Sequence, residues 1–178
     1  MKRSFQSRAM AMRDDSAMAL QFRPGRSDEP PGSDLLGELY AHFAAVYEDW
    51  AARPGSVTTA DEMAPPHGAF LIGYDSERAV ACGGLRRLHD GSAEIKRMYV
   101  VPDSRSRGAG RALLLALEDA ARAIGYERVR LDSGPEQRHG QALFASAGYV
   151  ETGRYNDNHV AIYWAEKALT PSREPGLR

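Results

Sequence analysis

Apolar positions along the first half of the chain follow two periods, and their order predicts a mixed fold. After Ser33, which we predict as an N-cap, leucine and aromatic residues recur every three or four positions, so one face of a helix is buried. These positions are Leu35, Leu36, Leu39, Phe43, Val46 and Tyr47. Short apolar runs at 69–74, 79–85 and 93–101 predict three strands joined by polar turns, which together form an antiparallel meander.

The second half of the chain alternates helices and short strands. Helices are predicted at 112–123, ended by Gly125, and at 141–147, ended by Gly148. Further strands are predicted at 19–23, 129–131, 149–152 and 160–164. The resulting order is β, α, three β, α, β, α, two β. A doubly wound nucleotide-binding fold would alternate strand and helix from its start, so we expect a mixed α/β domain of the α+β type instead.

The two ends of the chain differ from its middle. We expect a disordered extension over 1–18, one domain over 19–169 and a loose C-terminal tail over 170–178, where two prolines interrupt any regular structure. The extension has early basic residues but no apolar core of a secretory signal. No apolar run approaches the roughly 20 residues that span a bilayer, so no membrane association is expected.

Composition removes several function classes. The formal net charge of the 178 residues is −1, which argues against nucleic-acid binding driven by bulk charge. Cys82 is the only cysteine, so no intrachain disulfide can form, and its apolar surroundings predict a core residue rather than a nucleophile. A reducing, cytoplasmic location is compatible with this and is the expected one. The five histidines lack metal-ligand spacing, so no metal is expected.

A basic, glycine-containing loop between a strand and a helix carries the strongest chemical signal. Unpaired N–H groups and the helix dipole attract anions to a helix N-terminus, glycines let a phosphate approach the backbone, and arginine forks suit phosphate oxygens. The loop therefore predicts a phosphorylated cofactor. Its residues are Arg105, Ser106, Arg107, Gly108, Ala109, Gly110 and Arg111.

Other readings of this loop fit less well. A Walker loop would end in Gly-Lys-Ser/Thr, which is absent. A dinucleotide fingerprint would need a third glycine where Leu113 stands, with Asp132 as the one candidate for the ribose-binding acid. Glycines that merely cap a helix and arginines that merely solvate a loop are the structural alternative. The three arginines at a strand-to-helix junction favour a ligand site.

The pattern Arg105-x-x-Gly108-x-Gly110 after Val100-x-Pro102 resembles the acetyl-CoA-binding motif of the GCN5-related N-acetyltransferase (GNAT) family. The resemblance extends from Ala69 to Leu169. The segment 94–100 is similar to the fourth strand of that family, and 141–149 to its last core helix and following strand. It implies a central, mostly antiparallel sheet of about seven strands, splayed at the fourth, with helices on both faces and acetyl-CoA as co-substrate.

The resemblance also implies roles for individual residues. Backbone N–H groups from Arg107 to Arg111 would hold the pyrophosphate, and Met98, Tyr99 and Val100 would pair with the pantetheine arm. Glu94 stands where the histone-acetylating branch has its general base; the alternative is that it pairs with Lys96, Arg97 or a neighbouring strand. Phe144 replaces the tyrosine that protonates the thiolate in many relatives, so no general acid is assigned, and Phe144 is expected against the cofactor arm.

The segment between the last two strands is expected to border the acceptor site through Tyr155, Asn156 and Asn158, although an ordinary Asn-rich turn would look the same. We therefore expect acetyl transfer to a primary amine of a small molecule or peptide. A homodimer of this chain is compatible with the sequence. Two other functions stay open. One is a non-catalytic acyl-CoA-binding domain, and the other is a nucleotide-dependent oxidoreductase.

Overall fold

Seven strands form one sheet in the order β1-β2-β3-β4-β5-β7-β6 in the computed structural model, which describes residues 20–48 and 58–170. The extension expected over 1–18 and all but the first residue of the expected tail lie outside the described residues. The strands are β1 (Gln21–Pro24), β2 (Ala69–Asp75), β3 (Arg78–Arg87), β4 (Ala93–Val100), β5 (Arg128–Ser133), β6 (Val150–Glu151) and β7 (Tyr163–Ala168). The helices are α1 (Gly32–Val46), α2 (Ala109–Ile124) and α3 (Arg138–Ser146).

The sheet is antiparallel at every neighbouring pair of strands except β4 and β5, which run parallel. The predicted meander of β2, β3 and β4 is confirmed. Parallel strands need a crossover connection, and here α2 supplies it. The mixed α/β class and the mostly antiparallel, seven-stranded sheet are therefore confirmed.

Helices cover both faces of the sheet because neighbouring residues of each strand point to opposite sides. On β2 and β3, Phe70, Ile72, Val80 and Cys82 pack with the buried leucines of α1. Strand residues that alternate with these and point to the opposite face, such as Leu71 and Leu85, pack with α2 and α3. Two apolar clusters result, one on each face, and the central strands are buried between them.

Several predicted boundaries are wrong by a few residues; α3, for example, begins at Arg138 and not at 141. Helix α1 has its N-cap at Pro31 rather than Ser33, because the Ser33 N–H already donates to the Glu29 carbonyl at 3.0 Å. Helix α2 begins at Ala109 rather than 112, directly after the left-handed Gly108. Strand β7 begins at Tyr163 rather than 160, because Asn158 holds the preceding residues in a turn.

Two leucines of α2 test how much the buried face contributes to stability. Leu117 is fully buried against the sheet, whereas Leu115 on the same helix is 47% exposed. We expect Leu117→Ala to lower the free energy of unfolding by about 3 kcal/mol through lost burial and the cavity left behind. Leu115→Ala should change it by less than about 0.5 kcal/mol. Urea denaturation of both variants measures this, and equal losses would contradict the assigned packing.

Candidate active site

Strands β4 and β5 separate soon after they meet. They pair only at Ala93 with Val129 and at Glu94 with Arg130. The rest of β4, from Ile95 to Val100, has no partner on β5, so part of its backbone faces a gap in the middle of the sheet. The splay expected at the fourth strand is thus present.

A β-bulge on β4 accompanies the separation. Between the pairs Gly84–Lys96 and Cys82–Tyr99, one residue of β3 lies opposite two of β4, and Arg97 there has φ of 60°. The extra residue shifts the alternation of the side chains. Tyr99 consequently packs on the α1 face, while Met98 packs with the α2 cluster.

The loop after β4 has the backbone of an anion site. A single 3-10 turn, Pro102–Ser104, leads into it, and Ser106 and Gly108 both have left-handed φ values, of 61° and 81°. None of the backbone N–H groups from Ser106 to Arg111 donates a hydrogen bond to another described residue. The first turn of α2 adds the positive end of its dipole. Unpaired donors and dipole thus meet at one end of the gap.

The three arginines of this loop have different positions. The Arg105 Nε donates to the Val100 carbonyl at 2.8 Å, and its guanidinium lies 5.6 Å from the Tyr99 ring centre. Arg111 donates to the Ser146 carbonyl at the end of α3, at 3.1 Å. Arg107 is exposed and has no side-chain partner among the described residues. Arg105 and Arg111 therefore also tie the loop to β4 and α3.

Three residues singled out from the sequence lie in the core. Phe144 is 9% exposed, and its ring centre lies 6.0 Å from that of the buried Tyr149. Burial raises the pKa of the Tyr149 hydroxyl well above its usual range. Cys82 is fully buried, which raises its thiol pKa to about 12, so the predicted core role is confirmed. None of these side chains is placed to exchange a proton at neutral pH.

Glu94 lies where the two strands part, with its side chain fully buried. The Arg86 Nε donates to its Oε2. Its Oε1 accepts from Tyr155 at 3.0 Å and from Asn156 at 2.8 Å, and the Lys96 ammonium lies 3.3 Å away. The ion pair with Lys96, which the sequence left open as an alternative, is therefore present. A buried carboxylate with two cations and two further donors is fully satisfied.

Asn156 joins Glu94 to a second buried carboxylate, Asp132 on β5. Its Nδ2 donates to both Glu94 Oε1 and Asp132 Oδ2, while its Oδ1 accepts from the Trp164 indole N–H at 3.0 Å. The Lys96 ammonium donates to the same Asp132 oxygen at 3.0 Å. The segment between β6 and β7 is thereby fastened to both β4 and β5.

Tyr155 keeps its proton in this environment. Burial, followed by the negative charges of Glu94 and Asp132, raises the pKa of its phenol far above the usual value. The Arg130 guanidinium lies 5.1 Å from its ring centre. Tyr155 therefore acts as a hydrogen-bond donor to Glu94 and not as a base.

Sequence reasoning missed part of this cluster. Asp132 had been weighed only for a dinucleotide site, Lys96 only as a partner of Glu94, and Arg86 not at all. Period-two alternation could have found them, because Arg130 and Asp132 share one face of β5, and Glu94 and Lys96 one face of β4.

In residues 20–48 and 58–170, no group of three or more His, Cys, Asp or Glu side chains could hold a metal ion. No helix in those ranges is long and apolar enough to cross a membrane.

A mixed sheet that splays between β4 and β5, with unpaired backbone N–H groups at the start of its crossover helix in the described part of the chain, defines the architecture. The family model described as the Acetyltransferase (GNAT) family matches residues 35–149, and the chain belongs to this family. It is 31% identical over 122 residues to the IAA acetyltransferase of Azospirillum brasilense, covering 68% of this chain and 78% of the relative.

Solved structures share the fold. A GNAT-family acetyltransferase from Staphylococcus aureus superposes with a TM-score of 0.70 at 16% identity, over 85% of this chain and all of the other. An N-acetyltransferase from Thermoplasma acidophilum in complex with coenzyme A gives a TM-score of 0.64 at 16% identity, over 85% and 99% of the two chains.

The position of the Asn156 amide between two carboxylates can be tested by placing a negative charge there. In Asn156→Asp a third carboxylate would face Glu94 and Asp132, and repulsion would raise its pKa in the folded state above the unfolded value near ~3.9. The penalty is then present at neutral pH and disappears as the pH falls through the raised pKa. We expect a loss of about 3 kcal/mol at pH 7.

Asn156→Ala is the control, because it removes the amide without adding charge. Urea unfolding of wild type and both variants at pH 7 and pH 5 measures the differences. A deficit of Asn156→Asp that does not shrink at pH 5, or one no larger than that of Asn156→Ala, would contradict the position of Asn156 between the two carboxylates.

Proposed function

We propose that this chain transfers the acetyl group of acetyl-CoA to a primary amine, with Glu94 as the general base. The observation that supports this most is the gap between β4 and β5. It has unpaired backbone N–H groups of the Ser106–Arg111 loop at one end and the Glu94 cluster where the strands part. A long, extended thioester with a phosphorylated end fits such a gap.

Different parts of acetyl-CoA would contact different residues along the gap, from the pyrophosphate to the pantetheine arm. The pyrophosphate would bind the unpaired N–H groups between Ser106 and Arg111, with Arg107 adding an unengaged charge. The amides of the pantetheine arm would pair with the free edge of β4 at Met98, Tyr99 and Val100, as an added strand does. The coenzyme A in the Thermoplasma structure and the activity in the name of the Azospirillum relative support this proposal.

The chemistry requires a neutral amine. An aliphatic amine with a pKa near ~10 is mostly protonated at pH 7, so a base must remove a proton before or during attack. The nitrogen then attacks the thioester carbonyl carbon, and the thiolate departs. A thiol with a pKa near ~8.5 leaves without full protonation, which suits a site where Phe144 replaces the usual donor.

Glu94 receives the proton indirectly in this proposal. Its carboxylate is completely buried, and both oxygens already accept hydrogen bonds. The amine proton therefore reaches it through the surrounding polar groups.

Release of the CoA thiol from acetyl-CoA, measured over a panel of amines, tests the function. We expect turnover with at least one amine, and Glu94→Gln should lower kcat roughly 100-fold. The coenzyme A Kd of this variant, measured by calorimetry, should stay within about twofold, since Glu94 does not touch the phosphate loop. Glu151→Gln on the exposed strand β6 is the control. Coenzyme A binding without thiol release for any amine would instead support a non-catalytic acyl-CoA-binding domain.

Two glycines with nearly the same φ isolate the contribution of the phosphate loop. Gly108 at the start of α2 has φ of 81°, Gly91 in the turn between β3 and β4 has φ of 82°, and an added Cβ meets nothing within 4 Å at either position. Each alanine variant should therefore lose about 1 kcal/mol of stability through backbone strain alone.

Only Gly108→Ala should weaken coenzyme A binding, by roughly fivefold or more, because its strain shifts the N–H groups that face the pyrophosphate. Calorimetric titration of both variants with coenzyme A measures this. Equal affinities of the two variants for coenzyme A would contradict the proposed binding of the pyrophosphate by this loop.

A further inference from the structure

We infer that Asp132 is the carboxylate that meets the acceptor amine: it binds the ammonium group and takes its proton, with Lys96 connecting it to Glu94. This inference rests on the proposed acetyl transfer. It assigns a catalytic role to a residue of β5 and makes Glu94 the inner member of a pair of carboxylates.

Burial keeps a substrate away from Glu94. Its side chain is 0% exposed. Arg86 occupies Oε2, and Oε1 accepts from Tyr155 and Asn156 beside the Lys96 ammonium. An amine could touch this carboxylate only by displacing one of these buried partners, which would leave a charge or a donor unsatisfied at a cost of several kcal/mol.

Asp132 differs from Glu94 in both position and exposure. It lies on β5 two residues beyond Arg130, the last residue that pairs with β4, so its carboxylate is beside the open part of the gap. Its Oδ2 is occupied by Lys96 and Asn156, but among the described residues its Oδ1 accepts from the Asn158 side chain alone, at 3.2 Å. Its side chain retains 7% exposure. Oδ1 therefore has a lone pair for one more donor.

A single ammonium group links the two carboxylates. Lys96 Nζ lies 3.0 Å from Asp132 Oδ2 and 3.3 Å from Glu94 Oε1. The positive charge of Lys96 thus faces both carboxylates. A proton that reaches Asp132 can move on when Lys96 donates one of its own protons to Glu94 and regains one from Asp132.

The proton and electron balance of the step is closed. An N–H proton of the ammonium passes to Asp132 Oδ1, which frees the nitrogen lone pair. That pair forms the C–N bond to the thioester carbonyl carbon, and the C–S electron pair leaves with the sulfur as thiolate. The nitrogen then loses a second proton, to the departing thiolate or to water, and the neutral amide results. Asp132 then loses its proton through Lys96 to Glu94, or to water, and returns to its ionised form.

The experiment compares two amines of different basicity with full-length wild type and Asp132→Asn. With a strongly basic alkylamine, Asp132→Asn should lower kcat/KM roughly 100-fold. With methoxyamine, which is unprotonated at neutral pH and needs no base, the loss should be less than about fivefold. If the role of Asp132 were purely structural, the substitution would lower kcat/KM for both amines by the same factor. Asp157→Asn removes a fully exposed carboxylate from the segment between β6 and β7 and serves as the charge-matched control.

A double variant tests the connection to Glu94. If the two carboxylates act in series, Glu94→Gln with Asp132→Asn should be no slower than the slower single variant; independent roles would multiply the losses. Equal losses of Asp132→Asn for both amines, or no loss for either, would overturn the role of Asp132 while leaving acetyl transfer intact. A wild-type chain that acetylates neither amine nor any other of the panel would overturn the proposed function, and the role of Asp132 with it.

Discussion

The early end of the pairing between β4 and β5 is the constraint on which the rest of the site depends. Backbone groups in a sheet interior normally have partners, so a gap in the middle of a sheet must be stabilised by something other than ladder hydrogen bonds. Here the strands part after the pair of Glu94 and Arg130. The bulge at Arg97 bends β4 at this point and sets which side chains reach each face.

Charged side chains take over where the ladder hydrogen bonds stop. Lys96 from β4 and Asp132 from β5 form an ion pair across the gap at 3.0 Å, and Asn156 from a third segment donates to carboxylates on both strands. A buried network of this kind is stable only when every member has partners, and it then fixes one arrangement. The same side chains that keep the strands at a fixed separation thus carry the polar chemistry of the site.

Local signals made much of the fold predictable, and non-local contacts explain the rest. Turn residues and alternation located the meander, and Gly108 and Gly110 marked the anion loop, because these features depend on a few adjacent residues. The bulge had no such signal, since an arginine and not a glycine adopts the left-handed conformation at position 97. Asp132 and Lys96 lie 36 residues apart and meet only because two strands diverge. Arg105 and Arg111 looked like free phosphate ligands, yet their partners are carbonyls of β4 and α3.

The buried groups of the cluster form a quartet of two carboxylates, Glu94 and Asp132, and two cations, Arg86 and Lys96; at its edge Arg86 also pairs with the exposed Glu62 at 3.2 Å. Such a quartet has a strong field at hydrogen-bond range but almost none at the distance of a Debye length. This quartet would therefore not steer the proposed amine acceptor by long-range attraction, and it should add little ionic-strength dependence to the rate of encounter. Under the proposed function, selection among acceptors would then depend on shape and short-range contacts inside the gap.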